Sequence, residues 1–127
     1  MNRIRTLIVD DSSVMRKIVE RALRQAGLDL ATVLEASSGT EALELLRRER
    51  VDLILSDINM PQMDGLEFLR QMEAQNLAPE TPVVMITTES SEEHVREAIA
   101  AGAQGYIRKP FTPEQVKDRV VPLLEAV

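Results

Sequence analysis

Apolar and polar positions along the chain fall into two alternating rhythms. Short apolar runs bounded by polar or turn-forming residues recur five times, at Thr6–Val9, Thr32–Ala36, Leu53–Ser56, Val83–Thr87 and Gly105–Arg108. Runs of four or five such residues are the length of a strand. Between them, apolar residues recur every three or four positions, the spacing of one face of a helix. The first helical segment, about Ser13–Ala26, stops at Gly27, a natural C-terminal residue. The second starts at Ser38 with Glu41 three residues on, a capping box, and is expected to bury Ala42, Leu45 and Leu46. The third follows the Asp64-Gly65 turn, with Leu66, Leu69 and Met72 on one face. The fourth opens with a second box, Ser90 and Glu93, presents Val95, Ala98 and Ile99, and stops at Gly102. The fifth begins Thr112-Pro113, a cap followed by proline, and presents Val116, Val120, Leu123 and Leu124. Pro122 lies inside it and is expected to kink or fray it.

Five strand–helix repeats predict an α/β fold, a doubly wound (βα)5 with a five-stranded parallel sheet covered on both faces. The first, third and fourth strands are continuously apolar and so central, whereas TVLEA and GYIRK mix in polar residues as edges do. This agrees with strand order 2-1-3-4-5, a known order of doubly wound sheets that the pattern alone does not derive. A length of 127 residues fits one domain without staples, and no linker or repeat interrupts it. The absence of cysteine excludes disulfides, thiolate metal sites and thiol nucleophiles. A net charge of −6 with only Phe68, Tyr106 and Phe111 as aromatics argues against nucleic-acid binding. Arg47, Arg48 and Arg50 close a helix, where positive charge suits the helix dipole. No signal-peptide or membrane-span pattern is present, so the expected location is cytoplasmic, with no membrane association.

The chemistry gathers where the apolar runs end. Asp10 and Asp11 follow TLIV, Asp57 follows LILS, Thr87 closes VVMIT and Lys109 follows GYIR. In a parallel sheet those ends share one edge, where open α/β folds place their ligands. Three crowded carboxylates need a proton or a cation, and oxygen donors without His or Cys favour a hard ion such as Mg²⁺. A hydroxyl and an ammonium beside them make a site suited to a phosphoryl group, with Asp57 as the best-placed nucleophile. Helix capping explains Asp10 and Asp11 about as well, but explains Asp57 poorly, because Ile-Asn-Met-Pro follows it. His94 is the only histidine and falls on the polar side of the fourth helix, which leaves a Ser-His-Asp site without geometry. The glycines form neither GxGxxG nor GxxxxGK, and Met60 and Met63 flank a turn as local packing.

The stretches LIVDDSSVMR, LILSDINMPQMDGLEFL, PVVMITTES and AGAQGYIRKPF, in this order and spacing, resemble the receiver domain of two-component response regulators, in particular the single-domain CheY-like chemotaxis proteins. The resemblance covers essentially the whole chain, residues 1–127, and implies a flavodoxin-like receiver domain with no output domain. It implies that Asp57 accepts a phosphoryl group from a sensor histidine kinase. Asp11 and Asp57 would hold Mg²⁺ with the Asn59 carbonyl, Asp10 acting through a metal-bound water. Thr87 and Lys109 would bind the phosphoryl oxygens, and Tyr106 would turn inward as Thr87 moves. Lys109–Pro110 would be cis. Asn59 and Glu89 would tune hydrolysis of the acyl phosphate. The implied protein is a monomeric phosphoacceptor switch rather than an enzyme, read by a downstream partner on the face of the fourth helix, fifth strand and fifth helix.

Two departures concern that face. Ser90-Ser91-Glu92-Glu93-His94 stands where the chemotaxis relatives carry lysines, and Thr88 where alanine is frequent. Alternatives are a relay intermediate that passes its phosphoryl group onward, a haloacid-dehalogenase-type phosphatase, and a receiver-like adaptor without phosphorylation. The phosphatase class also uses Asp, Thr and Lys, but in a larger chain with a DxD loop where this one has Asp57-Ile-Asn59.

Overall fold

The computed structural model describes residues 3–88 and 92–125. Strands β1 (Ile4–Val9), β2 (Leu30–Ala36), β3 (Leu53–Ser56), β4 (Val83–Thr87) and β5 (Gly105–Arg108) alternate with helices. These are α1 (Ser13–Gln25), α2 (Gly39–Arg48), α3 (Gly65–Ala74), α4 (Glu92–Ala100) and α5 (Pro113–Glu125). All pairings are parallel and the order is β2-β1-β3-β4-β5. The expected (βα)5 fold and strand order are therefore present. β1 and β2 each begin two residues earlier than the apolar pattern suggests, because Ile4 and Leu30 already pair and are buried.

Two apolar layers sandwich the sheet. One gathers Leu7, Val9, Ile54 and Met85 with α2 and α3, centred on Phe68. The other gathers Ile8, Leu55, Val84 and Ile86 with α1 and α5. Alternate residues of each central strand thus go to opposite layers, and both sides of β3 and β4 are dry. Phe68 is fully buried, a burial that contributes roughly 1.5–3 kcal/mol.

Local chemistry sets the helix ends. Ser38 Oγ accepts from Glu41 N at 3.1 Å, while the Glu41 carboxylate accepts from Ser37 Oγ at 3.0 Å. Asp64 caps α3 through Glu67 N at 2.8 Å. A reciprocal box opens α5, with Gln115 N donating to Thr112 Oγ at 3.1 Å and Thr112 N to Gln115 Oε1 at 2.9 Å. After α1 and α4, Gly27 (φ +94°) and Gly102 (φ +112°) turn left-handed. The next residues, Leu28 and Ala103, then return their N–H groups to Leu23 and Ala98 carbonyls. Ser90, expected to cap α4, lies outside the described residues.

Packing rotates α2 and α4 away from the expected faces, whereas α5 keeps its expected face with its last turn only half-buried. On α2 the buried stripe is Gly39, Ala42, Leu43 and Leu46, and Leu45 is only half-buried at its margin. On α4, Ala98 is buried but Ile99 is 59% exposed, one residue and about 100° around the helix from it. His94, one turn before Ala98, is half-buried for the same reason rather than solvated on a polar side. On α5, Val116 and Val120 are buried while Leu123 and Leu124 are half-buried, and the helix runs through Pro122 to Glu125.

Candidate functional site

The site forms because four strands stop at one level and backbone bonds tie each stop to a neighbour. Asp10 N donates to Ala36 O at 3.1 Å, Asp57 N to Val9 O at 2.9 Å, and Lys109 N to Thr87 O at 2.9 Å. Asp10, Asp57 and Thr87 are buried, Asp11 is exposed, and Lys109 is half-buried. The edge thus holds charged groups on backbone already fixed by the sheet.

Capping does not account for the aspartates. Ser12 is the N-cap of α1, accepting from Met15 N at 3.2 Å. Asp10 Oδ1 instead accepts from Ser12 N at 2.9 Å. The carboxylates of Asp10, Asp11 and Asp57 converge, each with an oxygen within 4.8 Å of the others. Lys109 Nζ lies 3.3 Å from Asp10 Oδ2 and 3.3 Å from Asp57 Oδ2. Three carboxylates against one ammonium leave a formal −2. An all-oxygen donor set with that charge, partly open through Asp11, fits a hard divalent cation.

Burial pushes the Asp57 carboxyl above the usual carboxylate range, Lys109 pulls it back, and Asp10 adds to the rise. Asp57 Oδ1 also accepts from Asn59 N at 3.2 Å, which favours the ionised form. Asn59 itself is exposed, and its Nδ2 reaches Thr87 Oγ1 at 3.4 Å, linking the β3 loop to the end of β4. Tyr106 is half-buried on β5 opposite Met85, with its hydroxyl oxygen shielded from solvent. The Lys109–Pro110 bond is cis. Glu89 lies outside the described residues.

Two contributions escaped the sequence reading. Gly65 reads there as a turn residue, yet a side chain at this position would overlap the Asp57 carbonyl oxygen and meet Met85 Cε at 2.7 Å. Its N–H donates to Ile58 O at 2.8 Å, so α3 starts against the acceptor loop. Arg16 is the second. Its Nη1 donates to the Asp10 carbonyl oxygen at 2.6 Å and its Nε to Glu35 Oε1 at 2.8 Å, while Lys17 Nζ donates to Glu35 Oε2 at 2.9 Å. These bonds hold the Glu35 carboxyl below its usual range. The signal available was faint: an arginine within the first two turns after an acidic pair, and a glutamate at the end of an edge strand.

Similarity to known proteins follows the same residues. The profile of the family described as "Response regulator receiver domain" matches residues 6–121. A chemotaxis protein CheY homolog of Campylobacter jejuni (strain 81-176) is 41% identical over 122 residues, covering 95% of this chain and 92% of that protein. Chemotaxis protein CheY of Pseudomonas aeruginosa is 38% identical over 124 residues, covering 98% of each. The crystal structure of chemotaxis protein CheY4 of Vibrio cholerae at pH 4.0 superposes with a TM-score of 0.81 at 39% identity, covering 99% of both chains. No helix among the described residues is long and apolar enough to cross a membrane. Relatives matched over nearly their whole length, together with the shared fold, place this chain in the response regulator receiver domain family, as a two-component signalling protein of CheY type.

Proposed function

We propose that residues 1–127 act as one receiver domain that accepts a phosphoryl group on Asp57 from the phosphohistidine of a sensor kinase. A single observation carries this reading: the Lys109 ammonium bridges two buried carboxylates on a strand edge that keeps a formal −2. An Asp57 carboxylate oxygen attacks phosphorus, the P–O bond forms and the P–N bond breaks. Its electron pair stays with the imidazole, which leaves neutral when its other ring nitrogen carries the proton. Asp11, Asp57 and the Asn59 carbonyl would hold Mg²⁺, with Asp10 acting through water. When bound, the ion neutralises charge on the phosphoryl oxygens. Lys109, already 3.3 Å from Asp57, is placed to pair with a phosphoryl oxygen, and the Thr87 hydroxyl to donate to another.

The same bonds make a switch. Contacts of Thr87 and Lys109 with a phosphoryl group exist only after transfer, so they favour whichever arrangement of the β4–β5 end permits them. Tyr106 lies two residues before Arg108, the partner of Thr87 in the β4–β5 register, and is the readout side chain in this reading. A chemotaxis-type partner would bind across α4, β5 and α5. Asn59, two residues after Asp57, and Glu89, two residues after Thr87 in the sequence, tune hydrolysis in this reading.

Incubation with acetyl phosphate and Mg²⁺, followed by intact-mass and peptide analysis, tests the assignment. The expected result is one acid-stable, hydroxylamine-labile phosphoryl group on wild type and at least about a hundredfold less on Asp57→Asn, the scale of losing a covalent nucleophile. Decay of the label in Asn59 and Glu89 variants reads the tuning. Steady turnover of phosphate esters without a persistent label would instead mark a phosphatase.

A further inference from the structure

Arg16 takes no part in the chemistry above, yet it is bonded directly to the backbone of the acidic loop. Its guanidinium joins three elements: it projects from α1, donates to the carbonyl of Asp10 just after β1, and is gripped by Glu35 near the end of β2. The Arg16 side chain is only 15% exposed, and its bond to Asp10 O, at 2.6 Å, is short for an N–H···O contact. Every other hydrogen-bonding group of Asp10 is engaged as well. Its N–H goes to Ala36, Oδ1 takes Ser12 N, and Oδ2 faces Lys109.

The bond to Arg16 matters for the residue that follows. The Asp10 carbonyl belongs to the peptide plane that leads into Asp11, and that plane is rigid. Asp11 is exposed, so the plane before it is the nearest constraint on where its carboxylate sits. We infer that Arg16, held by Glu35, is a positioning residue that fixes the Asp10–Asp11 peptide and so pre-sets Asp11 as a ligand for the divalent cation. The inference rests on the cation reading given under Proposed function. The planar guanidinium is suited to the task because separate N–H groups serve Glu35 and the carbonyl at once; a lysine ammonium concentrates its donors at one point.

Calorimetric titration of the full chain with MgCl₂ tests it. Partners behind metal ligands typically shift affinity by about 10- to 100-fold, so Arg16→Met is expected to weaken Mg²⁺ binding by about tenfold. Arg16→Lys should remain weak by about the same factor, and Glu35→Gln, which keeps shape and loses charge, by about threefold. A purely structural role would lower the urea midpoint and leave the Mg²⁺ dissociation constant alone. Phosphoryl incorporation from acetyl phosphate should return to the wild-type level at saturating Mg²⁺, with its half-saturation point displaced as in the titration. Should Arg16→Met not fold, Glu35→Gln and Arg16→Lys carry the test. Dissociation constants within about twofold of wild type in the folded variants would overturn the inference while leaving the cation site standing. Failure of the wild-type protein to bind Mg²⁺ would remove both readings together.

Discussion

The strand-end edge and the α4–β5 corner are neighbours built to opposite standards. At the edge, Asp57 and Thr87 follow or end strands whose every residue is buried, and backbone bonds run from Asp57 to β1 and from Lys109 to Thr87. At the corner, α4 buries only Ala98 among its described residues, Ile99 is 59% exposed, and β5 is half-buried apart from Ile107 and exposed Arg108. In the function proposed above, the difference would divide the labour. A phosphoryl site needs charges held in place before the ligand arrives, which the central strands supply. A reporting surface needs two arrangements of similar free energy, which a lightly buried helix and edge strand can offer.

Substitutions on either side should expose this contrast. The largest effect is expected from Gly65→Ala, whose methyl group would overlap the Asp57 carbonyl oxygen and crowd Met85. Backbone cannot yield as a side-chain tip can, so about 1–3 kcal/mol of stability should be lost in urea denaturation. A loss under about 0.5 kcal/mol, the scale of an ordinary surface change, would mean the edge is as yielding as the corner.

Asp57→Asn should act in the other direction. Burial is the largest cause of the raised Asp57 carboxyl. A carboxyl that holds its proton more tightly folded than unfolded favours folding at pH below the ordinary carboxylate range. That contribution is lost as pH rises through the folded pKa. At neutral pH without divalent cations the ionised group therefore costs stability. Asp57→Asn should gain about 1 kcal/mol, or roughly 3–6 °C in thermal midpoint, and lose this part of the pH slope. An unchanged or lowered midpoint at pH 7 would show that the Lys109 pair outweighs burial.

The smallest effect belongs to the corner. Ile99→Ser should change stability by less than about 0.5 kcal/mol, because the side chain is mostly in water already. A loss above about 1 kcal/mol in the same urea titration would place Ile99 in a packed core and erase the contrast.

Much of the edge could be read from the chain, for a physical reason. A parallel strand that is dry on both sides must be an unbroken apolar run, so the first polar residue after it marks the sheet edge. Asp10, Asp57 and Thr87 stand at such marks, Lys109 follows the polar-mixed edge strand β5, and the Ser38 and Thr112 caps were equally local. The rest depended on how elements rotate against one another. Leu43 rather than Leu45 faces inward on α2, and Ile99 faces out, because neighbouring helices choose among apolar stripes of similar quality. Ser12 rather than the aspartates caps α1, a choice open in the sequence because several short polar residues precede that helix. Arg16 meets Glu35 only through the β1–β2 pairing, and Gly65 meets Asp57 only through the start of α3, so neither contact has a local signature.

The proposed division between a rigid writing edge and a responsive corner is tested most directly by hydrogen–deuterium exchange with Mg²⁺ and beryllofluoride, a stable phosphoryl mimic, on wild type and Asp57→Asn. The account predicts altered exchange in α4 and β5, around Ala98–Ile99 and Tyr106–Arg108, in wild type, with β1 and β3 unchanged and no response in Asp57→Asn. An equal response in both proteins, or a wild-type response confined to the residues around Asp57, would contradict it.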